Sequence, residues 1–226
     1  NGLVETLTGQ VLQGFEITNN VVGTNLTDVS LTGVQSQPQP TSEFTLGVQL
    51  DGSEVGVLPG PAPAFTFNSP IQIFNSVGTQ DILNIQFEKQ NTVTNAWNFT
   101  ITSQEGTVSP ATATGTMTFD ATGQLSLVNG AAFSDLVIDI DYSASSPPAA
   151  ASQLVTWDLS GGDMTAFATS SSNNSVIQDG FGSGILVGVG VDFDGTVSGL
   201  FDNGQSQPLF QLGLANFRRK KDREID

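Results

Sequence analysis

The 226 residues are 38% apolar but only 12% charged, and they include neither cysteine nor histidine. That is enough apolar material for one or two domains with cores, while the charged fraction is about half of the roughly 25% usual in soluble domains. Disulfides, thiolate and imidazole metal sites, serine–histidine triads and cysteine–histidine dyads are all excluded.

The net charge of −16 is unevenly spread. Residues 1–217 hold one cation, Lys89, against 19 acids, and the other five cations are Arg218, Arg219, Lys220, Lys221 and Arg223. A body this acidic repels phosphate backbones, so no nucleic-acid partner is expected. The basic tail, 218–226, reads as a disordered end or as sequence foreign to the natural chain, with a nucleic-acid or membrane patch as the alternative. The apolar run Gly184–Val191 is too short to cross a bilayer, and no membrane partner is expected.

Two-residue alternation dominates the chain. Phe44, Leu46, Val48 and Leu50 alternate with Thr45, Gly47 and Gln49, and Leu83, Ile85 and Phe87 with Asn84, Gln86 and Glu88. Trp97, Phe99 and Ile101 repeat the pattern, and Thr122-Gly123 joins Met117-Thr118-Phe119 to Leu125-Ser126-Leu127. Ile138, Ile140 and Tyr142 alternate with Asp139 and Asp141; the longest run is Ile185, Val187, Val189, Val191 and Phe193. Successive side chains on a strand point to opposite faces, so each run predicts an apolar face on a core and a polar face in solvent. Asp194-Gly195 predicts a tight two-residue hairpin into Thr196–Phe201, and Asn203-Gly204 a second turn into Leu209–Leu214. A single helical turn, capped by Asp163 over Met164–Ala168, is nearly the whole helix signal. The fold class is all-β, built mainly from antiparallel strands.

Pro59-Gly60-Pro61-Ala62-Pro63 and the stretch Ser143–Ser152 read as linkers, because proline lacks the N–H that a central strand needs. They bracket a unit of about 65–142. Spacing leaves open whether the flanking segments form one discontinuous domain or two pieces.

Few side chains could do chemistry. Lys89, beside Glu88, reads as solvent-exposed on the polar side of its strand. Asp192 and Asp194 resemble the start of a calcium loop, but no glutamate follows where such a loop would close; the plainer reading is a strand ending in an Asp-Gly turn. Asp139 and Asp141 leave one strand face roughly 7 Å apart, a spacing that a glycosidase pair could use beside aromatic platforms. Trp97 and Trp157 occupy apolar alternation positions, where core packing is the expected role. Asn25-Leu26-Thr27, Asn98-Phe99-Thr100 and Asn173-Asn174-Ser175 match the glycosylation sequon at a frequency expected by chance. No catalytic, cofactor-binding or metal-binding residue is assigned, and no enzyme activity or cofactor is expected.

Several segments resemble the flagellar hook protein family. Gly9-Gln10-Val11-Leu12-Gln13-Gly14-Phe15, Thr41–Leu50, Ile73-Phe74-Asn75-Ser76-Val77-Gly78 and Gly115-Thr116-Met117-Thr118-Phe119-Asp120 are each similar to family stretches. The most specific likeness is C-terminal: Gln178-Asp179-Gly180-Phe181, then Val191–Gly199 with its Asp194-Gly195 turn, Phe201–Gln205, and Gln211–Phe217. The resemblance implies two β-domains of antiparallel sandwich or barrel-like type. A discontinuous first domain takes residues 1–52 plus 156–217, with a second, 53–155, inserted in it. Terminal helical segments of the family are not matched here, which implies a truncated chain, monomeric in dilute solution. The implied function is mechanical: an extracellular structural subunit of the hook, exported through the type III apparatus without a cleaved signal. Implied partners are other hook subunits and the hook cap, rod and hook–filament junction proteins. A rod-type flagellar protein and an extracellular adhesin module binding carbohydrate or calcium are the alternatives.

Overall fold

The structure, a computed structural model, describes residues 2–54, 65–90, 95–149, 152–160 and 163–213. The proline stretch at 59–63 lies outside these residues, as does the basic tail. Among the described residues there are eighteen strands and no helix. In chain order they begin with β1 (Gln13–Thr18), β2 (Val21–Asp28), β3 (Gln35–Ser36), β4 (Glu43–Gln49), β5 (Thr66–Phe74) and β6 (Gln80–Lys89). Next come β7 (Ala96–Ser103), β8 (Thr107–Val108), β9 (Thr114–Phe119), β10 (Leu125–Val128), β11 (Ala131–Ala132) and β12 (Leu136–Asp141). The last six are β13 (Gln153–Asp158), β14 (Met164–Thr165), β15 (Ser172–Gln178), β16 (Gly184–Val191), β17 (Thr196–Phe201) and β18 (Ser206–Leu212). The helical turn expected over Met164–Ala168 is replaced by β14, which pairs with Val48 and Gln49 and buries Met164.

The chain divides into two units, Asn1–Ser36 with Gly184–Asp226, and Gln37–Ser183. The crossings expected at 52/53 and 155/156 lie within the second unit, where β4 and β13 pair.

The first unit is one six-stranded sheet in the order β2-β1-β18-β17-β16-β3. Asn19 and Asn20, both at positive φ (51° and 60°), turn β1 into β2, a conformation that asparagine tolerates better than most residues. The β16–β17 connection is longer than the two-residue turn expected: Asp192 N–H donates to Thr196 O and Gly195 N–H to Asp192 O, with Gly195 at φ 84°. The buried apolar cluster is Val29, Val197 and Phe210, with Val4, Leu12, Leu209 and Leu212 packed against it.

The run Ile185 to Phe193 does not face a core as alternation predicts. Ile185, Val187 and Val191 are each about 60% exposed, and Phe193 is fully exposed. For Ile185 the cause is a bulge in β16: Leu186 lies opposite Phe201, but Gly188 lies opposite Leu200. One extra residue reverses the face of everything beyond it. Ile185 is thereby turned away from the face of Val197, whereas Val189 and Val191 share that face but lie outside the small cluster of Val29, Val197 and Phe210 and stay exposed.

The second unit is a sandwich. One sheet runs β11-β10-β9-β7-β6-β5, and the other runs β14-β4-β13-β12-β8 with β15 also on β4. Pairing is antiparallel except along one side of β4, where β13 and then β14 run parallel to it. Here alternation holds: Phe44, Leu46, Val48, Leu50, Leu83, Ile85, Phe87, Trp97, Phe99, Ile101, Ile138, Ile140 and Tyr142 are all buried in one cluster. Trp157 joins the sheets, stacked on Phe44 at 5.8 Å and meeting Phe87 and Phe99 edge-on at 6.3 and 5.8 Å.

Two polar clusters are built into this interior. The Asp81 carboxylate accepts hydrogen bonds from Ser103 Oγ (2.6 Å), Tyr142 Oη (2.7 Å) and the Gln104 and Glu105 N–H groups (both 3.0 Å). Burial, then the hydrogen bond and charge of Asp81, push the Tyr142 phenol well above its ordinary range. Elsewhere Gln153 Nε2 donates to Thr41 O and Phe74 O, and Thr41 Oγ1 donates to Gln178 and accepts from Phe74 N–H.

Lys89 is buried, contrary to its expected exposure. It continues the parity of Leu83, Ile85 and Phe87, so its side chain turns inward and its Nζ lies 5.1 Å from the Trp97 ring centroid. A cation over an indole face recovers part of the lost hydration. Burial pulls the ammonium below the ordinary lysine value, and the Asp51 charge pulls the other way.

Trp157→Ala is expected to cost about 3–5 kcal/mol and Tyr142→Phe, which leaves Asp81 one donor short, about 1–3 kcal/mol, both read from urea unfolding of the second unit. The folded chain releases the Lys89 proton at a lower pH than the unfolded chain, so its contribution makes stability rise with pH up to about 10.4. Tyr142 is shifted the opposite way and withdraws stability above about pH 10, as the unfolded phenol ionises. Lys89→Met is therefore expected to be at least as stable as the parent at pH 7. Its advantage should shrink as pH rises toward about 10.4, the Tyr142 contribution being common to both proteins; an advantage that does not fall with pH would contradict an inward, destabilised ammonium.

Candidate functional site

The residues that could carry chemistry do not converge. Asp139 and Asp141 alternate outward from β12 and line an open recess of about 350 Å³ with Thr107, Ser109, Pro110 and Ser152. The Asp141 carboxylate is committed to its own turn, accepting from Ser143 N–H at 2.8 Å. Those hydrogen bonds from Ser143 hold it below the usual carboxylate range. A glycosidase pair needs one raised acid beside a platform for the sugar ring. The described lining has no aromatic residue, and Trp97 and Trp157 are fully buried in the core.

Asp192 and Asp194 sit in the β16–β17 turn. Asp194 Oδ1 accepts from Thr196 N–H at 3.0 Å, and its carboxyl is lowered by hydrogen bonds from Thr196 backbone and side chain. Asp120 plays the same part in the β9–β10 turn, where Thr122 and Gln124 donate to it and Gly123 takes φ 79°. Both aspartates shape turns, which accounts for their spacing before glycine. Among the described residues no three acidic side chains gather in one place.

What the two units do present is surface. On the first, Val21, Val22 and Leu26 of β2 are exposed, together with the valines of β16 and Phe193 at the hairpin tip. On the second, Val137 and Leu154 stand outward from β12 and β13, and Ile177 from β15. These apolar groups are separated by uncharged polar side chains such as Asn173, Ser175 and Thr24. Such surfaces suit contacts of modest energy between proteins.

The Asp81 cluster was missed by sequence reading, although a signal was present. Asp81 precedes Leu83, Ile85 and Phe87 at the same parity, an acid at an inward position that demands partners.

Comparison with known proteins agrees with this architecture. The chain is 27% identical over 180 residues to the flagellar hook protein FlgE of Treponema pallidum, covering 67% of this chain and 39% of that protein. It is 26% identical over 196 residues to the Borreliella burgdorferi FlgE, covering 82% and 43%. It is 28% identical over 203 residues to the Escherichia coli FlgE, covering 86% and 47%. The chain thus spans less than half the length of these relatives. The crystal structure of Helicobacter pylori flagellar hook protein FlgE2 shares the fold, with a TM-score of 0.53 at 10% identity over 94% of this chain and 78% of that one. Residues 49–181, most of the sandwich unit, match the family described as flagellar basal body protein FlaE D2 domain, and the chain belongs to that family.

Proposed function

We propose that the chain is the two-domain body of a flagellar hook subunit, a non-enzymatic structural protein that packs with copies of itself into a curved tube transmitting torque. In this reading Gln37–Ser183 is the inserted second domain and the discontinuous sheet is the first. The observation that carries it is the FlaE D2 match across residues 49–181, which covers the larger part of a unit whose interior is filled by apolar side chains. The physical character of the surface is compatible. A tube that bends as it turns needs neighbours that exchange contacts, and lightly charged, hydroxyl-rich and amide-rich faces give up little energy when they slide.

Neighbouring copies, and cap, rod and junction proteins at the tube ends, are the partners in this reading. The place is outside the cell, reached by type III export.

Antibodies raised against the chain test the proposal on cells that encode it. Immunogold electron microscopy is expected to label the short curved segment between cell surface and filament. Labelling confined to the filament, the cell envelope or the cytoplasm would overturn the assignment.

A further inference from the structure

We infer that the outer edge of β16 pairs, antiparallel, with the same edge of a second copy of the chain. Along one side β16 is held by β17; on the other, β3 pairs with Gly184 and Ile185 alone. From Leu186 to Val191 the outer edge has no strand against it among the described residues. Folded proteins blunt such edges with lysine, proline, inward charges or bulges. These six residues contain no charge and no proline, and the one bulge, at Val187, leaves the stretch Gly188 to Val191 regularly paired with β17.

The hydrogen-bonding groups of this edge can be assigned. Asp192 N–H donates to Thr196 O at 2.9 Å on the β17 side. An antiparallel ladder alternates, so Gly190 and Gly188 also turn toward β17, and the N–H and C=O of Val189 and Val191 point to the open edge.

A second copy is the occupant because the strand is its own complement. Val187-Gly188-Val189-Gly190-Val191 reads the same in both directions. An antiparallel pair centred on Val189 sets valine opposite valine and glycine opposite glycine throughout, with Val189 exchanging both bonds with its counterpart. Charge selects the same register. Residues 1–217 carry 19 acids and one cation, Lys89, which is buried, so two copies repel wherever acids meet. Parallel pairing stacks Asp192 on Asp192. The antiparallel register sets each Asp192 opposite a Leu186, with the two carboxylates at opposite ends of the ladder, about 20 Å apart.

This contact is isologous and closes on two copies. A tube grows through head-to-tail contacts, so the pair is a separate association and does not depend on the hook assignment.

The chain's lack of cysteine makes a cross-linking test clean. Opposed residues of a hydrogen-bonded antiparallel pair have Cα atoms about 5.5 Å apart, within the disulfide range of roughly 4.4–6.8 Å. At about 0.5 mM, where a weak pair forms, Val189→Cys is expected to give disulfide dimers at least about tenfold faster than Leu7→Cys, fully exposed on the same unit. In the unaltered chain, amide exchange at Val189 and Val191 should slow as concentration rises. Val189→Lys, which sets two ammoniums face to face, should abolish that dependence and leave the monomer's melting temperature unchanged. Equal cross-linking rates for the two cysteine variants, concentration-independent exchange, or a dimer that survives Val189→Lys would each overturn the pairing. Should Val189→Cys not fold, exchange in the unaltered chain decides alone.

Discussion

The stacking of Trp157 between two sheets is the contact around which the second unit is organised. The indole lies on Phe44 of the neighbouring strand and receives the ring edges of Phe87 and Phe99 from the facing sheet. A side chain of that size fixes how far apart the sheets can be. That separation in turn lets Tyr142, beyond β12, reach Asp81 on β6 at 2.7 Å, and Gln153 at the start of β13 reach Phe74 O on β5 at 2.9 Å. The polar clusters act as register pins on a sandwich that apolar burial drives. Each links the two sheets at one defined position, and a slip of either sheet would strand a buried carboxylate or carbonyl.

The first unit is held differently. Its sheet closes over Val29, Val197 and Phe210, a small cluster for six strands, and much of its order comes from the ladder and its turns. Repeated Asp or Asn before a positive-φ glycine fixes those turns, as at Gly195 and Gly204. The apolar residues left outside this cluster give the unit its exposed strand β16 and the tip Phe193.

Much of the candidate chemistry was decided in the sequence by absence of histidine and cysteine, and the remaining acids then had to be judged from local pattern. For Asp192 and Asp194 the Asp-Gly spacing was sufficient: turn chemistry is local, and Asp194 caps Thr196 two residues on. Lys89 was misjudged from its neighbour Glu88, although its parity with Leu83, Ile85 and Phe87 pointed inward. Charge was weighed over position, and Trp97, opposite it on β7, is what makes the inward position tolerable. The parallel pairing of β4 with β13 and β14 had no local signal, since alternation does not say which strand lies alongside.

By itself the sequence determined the all-β class, the half-buried strands of the sandwich, the hairpin turns and the exclusion of nucleophile–histidine chemistry. These follow from residue type and from periods of two, which act over a few positions. Tertiary structure decided which strands pair, which unit each belongs to, and which face of β16 meets the core. A single extra residue at the Leu186–Gly188 shift reverses that strand's faces, and the shift is set by its pairing with β17, a partner that a one-dimensional pattern does not contain.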